Sequence, residues 1–318
     1  MLSEFDVIAR YFTQSGSHTV LGVGDDAALL QPTHGMTLAV STDMLVAGRH
    51  FFADADPRQL GHKVLAVNLS DMAAMGARPR WATLAVALPE INEGWLAEFA
   101  GGFMALARRY DVDLVGGDTT QGPTNLCAQI IGEVPRGRAL RRDGAKVGDQ
   151  IWVSGQLGDA ALALAHLQNR ISLERKEIEA CLPALHTPQP RVALGLALIA
   201  VASSAIDVSD GLVADLGHIL ERSEVGAAID FAAIPKSAFL ARHAANPVAC
   251  AASIAGGDDY ELCFTAPLSE DARIRQIAGE LGLPLTRIGQ IEAGNKLIVR
   301  DETGKAMNVE SHGYDHFA

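Results

Sequence analysis

The chain has 318 residues, enough for two domains with separate cores, and its 48% hydrophobic and 20% charged content excludes a disordered polymer. A net charge of −12, with no basic run beyond RGRALRR (136–142), excludes a nucleic-acid footprint. Membrane spans are excluded too, because LGLALIAVA (194–202) falls well short of the ~18 apolar residues a spanning helix needs.

Residues 3–12 read as a short amphipathic helix, so MLSEFDVIARYF is not a secretory leader. Residues 37–43 read as a strand ending at Asp43. Asp56 and Pro57 supply an N-cap and a first-turn proline for a helix that ends near Gly76. A strand (80–88), a helix (93–110) and two strands (112–117 and 125–134) follow, which predicts a sheet with helices on one face. The turn-rich stretch 135–149 separates the halves. Beyond it come a strand at 150–155, a helix at 158–169, a helix at 189–203, a strand ending in Asp207 and a helix from Gly211. Strands at 227–231, 259–265, 285–291 and 296–300 and a helix at 269–282 complete a second α/β domain. Cys127, Cys181, Cys250 and Cys263 are scattered without a CxxC. Cys127 and Cys263 lie in apolar runs and are expected to be buried thiols of a cytoplasmic protein.

Six short segments place Asp among Gly, Ser and Thr: GDDAALL (24–30), STDML (41–45), NLSDMAAMGA (68–77), GGDTT (116–120), DVSDG (207–211) and GGDDYE (256–261). Small neighbours admit a ligand to the backbone, and carboxylates at such points suit a hard cation. Six acidic sites that met without a cation would repel one another, and several Mg²⁺ ions holding a polyphosphate remove that conflict. GVGDDA (22–27) does not suit a dinucleotide fold, since two Asp inside the turn repel a pyrophosphate, and no Walker lysine loop is present. Taken singly, each residue has a plainer reading. Asp43 could cap a loop, Asp71 could be a solvated helix residue, and Asp210 could be an N-cap. Arg142 could belong to a solvated basic loop, and His50 could be structural. The helix beginning near Gly211 could equally offer its N–H groups to a phosphate.

Together, and in this order, GDDAAL, STDMLVAGRHF, NLSDMAAMGA, GGDTT, SDGL, GGDDYEL and a terminal GYDHF resemble thiamine-monophosphate kinase. That family belongs to the superfamily of aminoimidazole-ribonucleotide synthetase, and the match runs from about residue 3 to the last residue. The resemblance implies a two-domain α+β fold of the aminoimidazole-ribonucleotide synthetase type. Its N-terminal ferredoxin-like sheet domain (1–140) would dimerise and bind ATP and Mg²⁺, and its C-terminal α/β domain would span 141–318. It implies ATP-dependent phosphorylation of thiamine monophosphate to thiamine diphosphate, the last step of that cofactor's synthesis, by a homodimer needing neither nucleic acid nor membrane. Residue by residue, Asp26, Ser41, Thr42, Asp43, Asp71, Asp118, Asp207 and Asp210 match the family's magnesium ligands. Gly117, Asp118, Arg142 and Ser209 match its ATP contacts, and His50, Asp258 and Tyr314 match its thiamine-phosphate contacts. At Asp258 the commonest family form has Glu, so the reach to substrate is shorter here.

No general base is expected. The acceptor is a phosphate monoester with a second pKa near ~6, already a nucleophile at neutral pH, so catalysis reduces to in-line positioning and charge cancellation. Two alternatives stay open: a relative in the same superfamily with another acceptor, and a non-catalytic nucleotide-binding dimer.

Overall fold

The computed structural model describes residues 3–14 and 16–308. Two compact bodies emerge, one built from the chain up to residue 72 and from 77–137, the other from 73–76 and from residue 138 onward.

The first body opens with α1 (Glu4–Val7), capped by Ser3, whose hydroxyl accepts from the Asp6 N–H, and continues through a wider turn over Ile8–Phe12. Two short strands, β1 (Thr19–Leu21) and β2 (Leu29–Leu30), pair with each other. Then come β3 (Met36–Val46), α2 (Pro57–Ala74), β4 (Arg78–Leu88), α3 (Glu93–Arg109), β5 (Asp113–Gln121) and β6 (Asn125–Pro135). Helix α2 starts where expected: Pro57 is its first residue, and the Asp56 carboxylate accepts from the Gln59 N–H at 2.9 Å. The sheet runs β3-β6-β4-β5, antiparallel except for the β4–β5 pair. One face is buried, with Leu84, Val86, Leu126, Ala128 and Ile130 each at most 5% exposed. Helix α2 lies on that face, so close that a Cβ on Gly132 would sit 2.7 Å from the Met72 sulfur. Helices α2 and α3 touch backbone to backbone, because a Cβ on Gly61 would meet the Phe99 carbonyl at 2.0 Å and one on Gly102 the Arg58 carbonyl at 1.9 Å.

The second body contains β7 (Gln150–Ser154), α4 (Asp159–Leu167), α5 (Arg175–His186), α6 (Val192–Leu198), β8 (Ser204–Asp207), α7 (Leu212–Ser223) and β9 (Gly226–Asp230). It is completed by α8 (Ala238–Arg242), α9 (Pro247–Ala255), β10 (Leu262–Ala266), α10 (Asp271–Leu281), β11 (Leu285–Glu292) and β12 (Leu297–Arg300). Its sheet runs β12-β9-β11-β7-β10-β8 and is antiparallel except for β9–β12. Ile151, Val153, Ile206, Leu216, Ile219 and Ile229 fill the main core, and a second cluster joins Leu162, Cys181, Leu185 and Ala252.

Several expectations need correction. Helices α5, α8 and α9 form where none was expected, and the helix expected at 189–203 shrinks to α6. The expected strand at 259–265 starts only at Leu262, because Asp258 (φ +69°) and Tyr260 (φ +50°) are left-handed. Cys181 and Cys263 are buried thiols, whereas Cys127 is only half-buried, and all four cysteines are unpaired with one another. Among the described residues no helix is long and apolar enough to cross a membrane.

Candidate active site

In the first body, Asp43 and Asp118 lie inside strands rather than at strand ends. β6 pairs with β3 along its whole length to Val46, and β5 continues past Asp118 to Gln121. Strand alternation then sorts the carboxylates by face. Ser41 and Asp43 share the α2-covered face, where the Ser41 hydroxyl donates to Asp71 Oδ2 at 2.6 Å. Thr42 points to the opposite, open face and accepts from the Gln129 amide at 3.2 Å, so the three consecutive residues do not present one set of side chains. Across that open face Met44, Cys127, Ala85 and Asp118 stand in register. Asp43 and Asp118 belong to strands separated by three spacings, about 14 Å, and face opposite sides of the sheet, so within one chain they are too far apart to ligate a single ion.

Asp26 sits exposed in the loop between β1 and β2. Gly117 is required where it stands, since any Cβ would lie 1.9 Å from the Leu84 carbonyl oxygen. His50 closes the turn after β3: its Nδ1 accepts from the Val46 N–H at 3.0 Å, and its own N–H donates to the Val46 carbonyl. In the neutral ring the proton is therefore on Nε2. Asn68, one turn before Asp71, is fully buried; its amide donates to the Val64 carbonyl while its Oδ1 has no protein partner.

In the second body, β8 ends at the buried Asp207, and Ser209 and Asp210 follow in a half-buried loop. Beside them runs GGDDYE, held by hydrogen bonds from the Asp258 N–H to the Ser209 carbonyl and from the Tyr260 N–H to the Val208 carbonyl. The three acids of that segment do different work. Asp258 accepts from the Tyr260 hydroxyl at 3.0 Å. Asp259 accepts the N–H of Gly158, the N-cap of α4, and burial pushes its carboxyl well above the ordinary range. Glu261 accepts from the Ser154 hydroxyl and forms a two-pronged ion pair with Arg191. Arg142 is exposed in a one-turn helix, its carbonyl accepting from the Ser223 hydroxyl at 2.8 Å. Tyr314 lies outside the described residues.

The helix after DVSDG departs from the reading that made Asp210 its N-cap. Its N-cap is Gly211, not Asp210. The N–H groups of Ser209, Asp210 and Gly211 all donate to one oxygen of Asp215, at 3.0, 3.0 and 3.1 Å. Sequence reasoning missed Asp215. Its signal was an acid four residues after the glycine that opens the helix, one turn along and able to fold back on the loop.

Among the described residues no three His, Cys, Asp or Glu side chains converge as a ready-made metal cage. Mg²⁺ rarely needs one: it keeps several waters and takes one or two carboxylates plus substrate phosphates, and the pairings here supply hard oxygens of that kind. An open depression of about 630 Å³ lined by Ser172, Leu173, Glu174, Glu177, Arg242 and His243 carries none of the motif residues. Its central carboxylate, Glu177, is already engaged by Arg242, His243 and the Glu174 N–H.

Comparison with known proteins follows the same line. Residues 24–134 match the family model of the AIR synthase related protein N-terminal domain, and residues 146–302 that of its C-terminal domain. The thiamine-monophosphate kinase of Escherichia coli K12 is 48% identical over 319 residues, covering 99% of this chain and 98% of its own length. The crystal structure of thiamine-monophosphate kinase from Stenotrophomonas maltophilia K279a superposes with a TM-score of 0.85 at 48% identity, covering 92% of this chain and 93% of that one. AaThiL complexed with AMPPCP and TMP superposes with a TM-score of 0.78 at 30% identity, covering 93% and 92%.

Proposed function

The chain belongs to the thiamine-monophosphate kinase family of the AIR synthase related proteins, and we propose that it transfers the γ-phosphoryl group of ATP to thiamine monophosphate, releasing ADP and thiamine diphosphate. The observation that carries this reading is similarity to a named kinase at 48% identity over 99% of this chain and 98% of that kinase. The solved relative bound to AMPPCP and TMP supports an ATP-like donor beside a monophosphate acceptor.

The acceptor explains the rest of the site. A phosphate dianion needs no base, and His50 has its Nδ1 engaged as an acceptor from the Val46 N–H. His50 and Asp258 orient the substrate, with the Tyr260 hydroxyl steadying Asp258, and Tyr314 is proposed to join them. On the donor side Gly117 admits the nucleotide close to the backbone, Arg142 meets its phosphates, and Ser209 contacts it. Asp26, Ser41, Thr42, Asp43, Asp71, Asp118, Asp207 and Asp210 would hold Mg²⁺. Bound magnesium supplies cancellation of the charge that otherwise keeps two polyanions apart.

A homodimer completes the reading, with residues 1–140 as its dimerisation part. Strand β3 is a sheet edge eleven residues long, and its open face exposes Leu38, Val40 and Met44 by 41%, 57% and 53%. Soluble proteins cover a long apolar edge of this kind, and a second copy does so here.

The deciding experiment measures ADP release with Mg-ATP and either thiamine monophosphate or thiamine. Turnover is expected with the monophosphate and not with thiamine, which lacks the anionic nucleophile. Efficient use of thiamine, or of neither compound, refutes the assignment.

A further inference from the structure

The N-terminus of α7 follows an acidic loop, and its geometry runs against the usual use of such a place. Three consecutive N–H groups pointing into one hollow ordinarily bind a phosphate. Here the hollow is filled from within, because Asp215, 3% exposed, receives the amides of Ser209, Asp210 and Gly211 on a single oxygen. The loop is fixed on its other side as well. The Ser209 carbonyl accepts from the Asp258 N–H, and a Cβ on Gly211 would lie 2.6 Å from the Ala255 backbone at a left-handed φ of +111°. No phosphate can take those amides while Asp215 holds them. Ser209 and Asp210 themselves are half-buried in this loop, and the buried Asp207 precedes them.

We propose that Asp215 is a positioning residue: its carboxylate occupies the amide hollow of the loop before α7 and fixes that loop as a platform that presents Ser209 and Asp210 to a cation-bound nucleotide. The identity of that nucleotide as Mg-ATP rests on the function proposed above. Asp215 touches neither nucleotide nor substrate and acts through the loop.

The test compares the full-length wild type with Asp215→Ala and Asp215→Asn, since Asn keeps an oxygen acceptor at the same place without the charge. Amide exchange of residues 209–211, equilibrium affinity for Mg-ATP and the KM for thiamine monophosphate are measured together. Asp215→Ala is expected to speed exchange at the three amides and weaken Mg-ATP binding about 10–100-fold, with a much smaller change in the acceptor KM. Asp215→Asn is expected to restore most of that affinity. Unchanged Mg-ATP affinity in Asp215→Ala, or equal loss in both variants, overturns the proposal, the second because charge rather than position would then matter. Should Asp215→Ala not fold, Asp215→Glu replaces it. Glu keeps the charge but displaces the acceptor by one methylene, so positioning requires Glu to be worse than Asn, and the reverse order overturns it. A wild type that binds Mg-ATP without using thiamine monophosphate defeats the acceptor assignment alone and leaves the Asp215 result readable.

Discussion

At the scale of single residues, His50 shows how a hydrogen bond limits a role. With Nδ1 accepting from the Val46 N–H, the neutral imidazole carries its proton on Nε2, so in the substrate-binding role proposed above it would act as a donor. His50→Asn is therefore expected to raise the KM for thiamine monophosphate about tenfold, the worth of one hydrogen bond to a charged group. The pH dependence of kcat should keep its shape, because the acceptor's own ionisation sets it. Steady-state kinetics across pH 5–9 check this, and a flattened kcat profile would make His50 a base. The sequence made His50 a candidate, but its tautomer depends on a turn that brings residue 46 back over residue 50. The same holds for Ser41, Thr42 and Asp43, which look equivalent as letters. Only the pairing of β3 with β6 and the pleat decide that Thr42 faces away from its neighbours. Asp215 was legible in principle, from its spacing to Gly211.

At the scale of elements, Glu133 ties β6 to the segment before β3 and to β4. Burial pushes its pKa up, but the Thr33 N–H, the Thr33 hydroxyl and the Arg80 guanidinium outweigh this and hold it below the ordinary 4.5. A carboxylate with a depressed folded pKa stabilises the fold above its unfolded pKa and loses that contribution as pH falls through the folded value. Glu133→Gln should thus cost about 1.5–3 kcal/mol at neutral pH, the range for hydrogen bonds to a charged group. Below about pH 4.5 the difference from wild type should shrink, as thermal unfolding followed from pH 7 to pH 3 will show. A gap that stays constant or widens in acid would contradict this account. Elements with strong end signals, such as Asp56-Pro57 before α2, were readable from sequence. Helix α5 was not, because its charged first turns and the internal Pro183 mask a stripe whose buried members are few, Cys181 and Leu185 among them. The strand at 259–265 was overextended because the positive φ values at Asp258 and Tyr260 accompany contacts with Ser209 and Val208 that propensity does not encode.

At the scale of the whole molecule, the class of fold was readable from the order of motifs and elements, while the use of its surfaces was not. Leu38, Val40 and Met44 read as ordinary alternation in a strand, and only their exposure among the described residues makes them a surface to be paired. Thr42 shares that open face, and strand register sets Asp118 there too. If a second copy covers the face, assembly and nucleotide binding are expected to be coupled, since Thr42 and Asp118, proposed above as Mg²⁺ ligands, lie among the apolar contacts. Val40→Glu puts a charge at the centre of the patch without touching the folded core, Val40 being 57% exposed. Sedimentation at micromolar concentration should show a dimer for the wild type and a monomer for the variant, with the melting of secondary structure little changed. The monomer should also bind Mg-ATP more weakly, and raising the protein concentration should restore assembly and affinity together. A variant that remains dimeric, or a wild type that is monomeric throughout, would remove β3 from the interface and with it the link between assembly and the donor site.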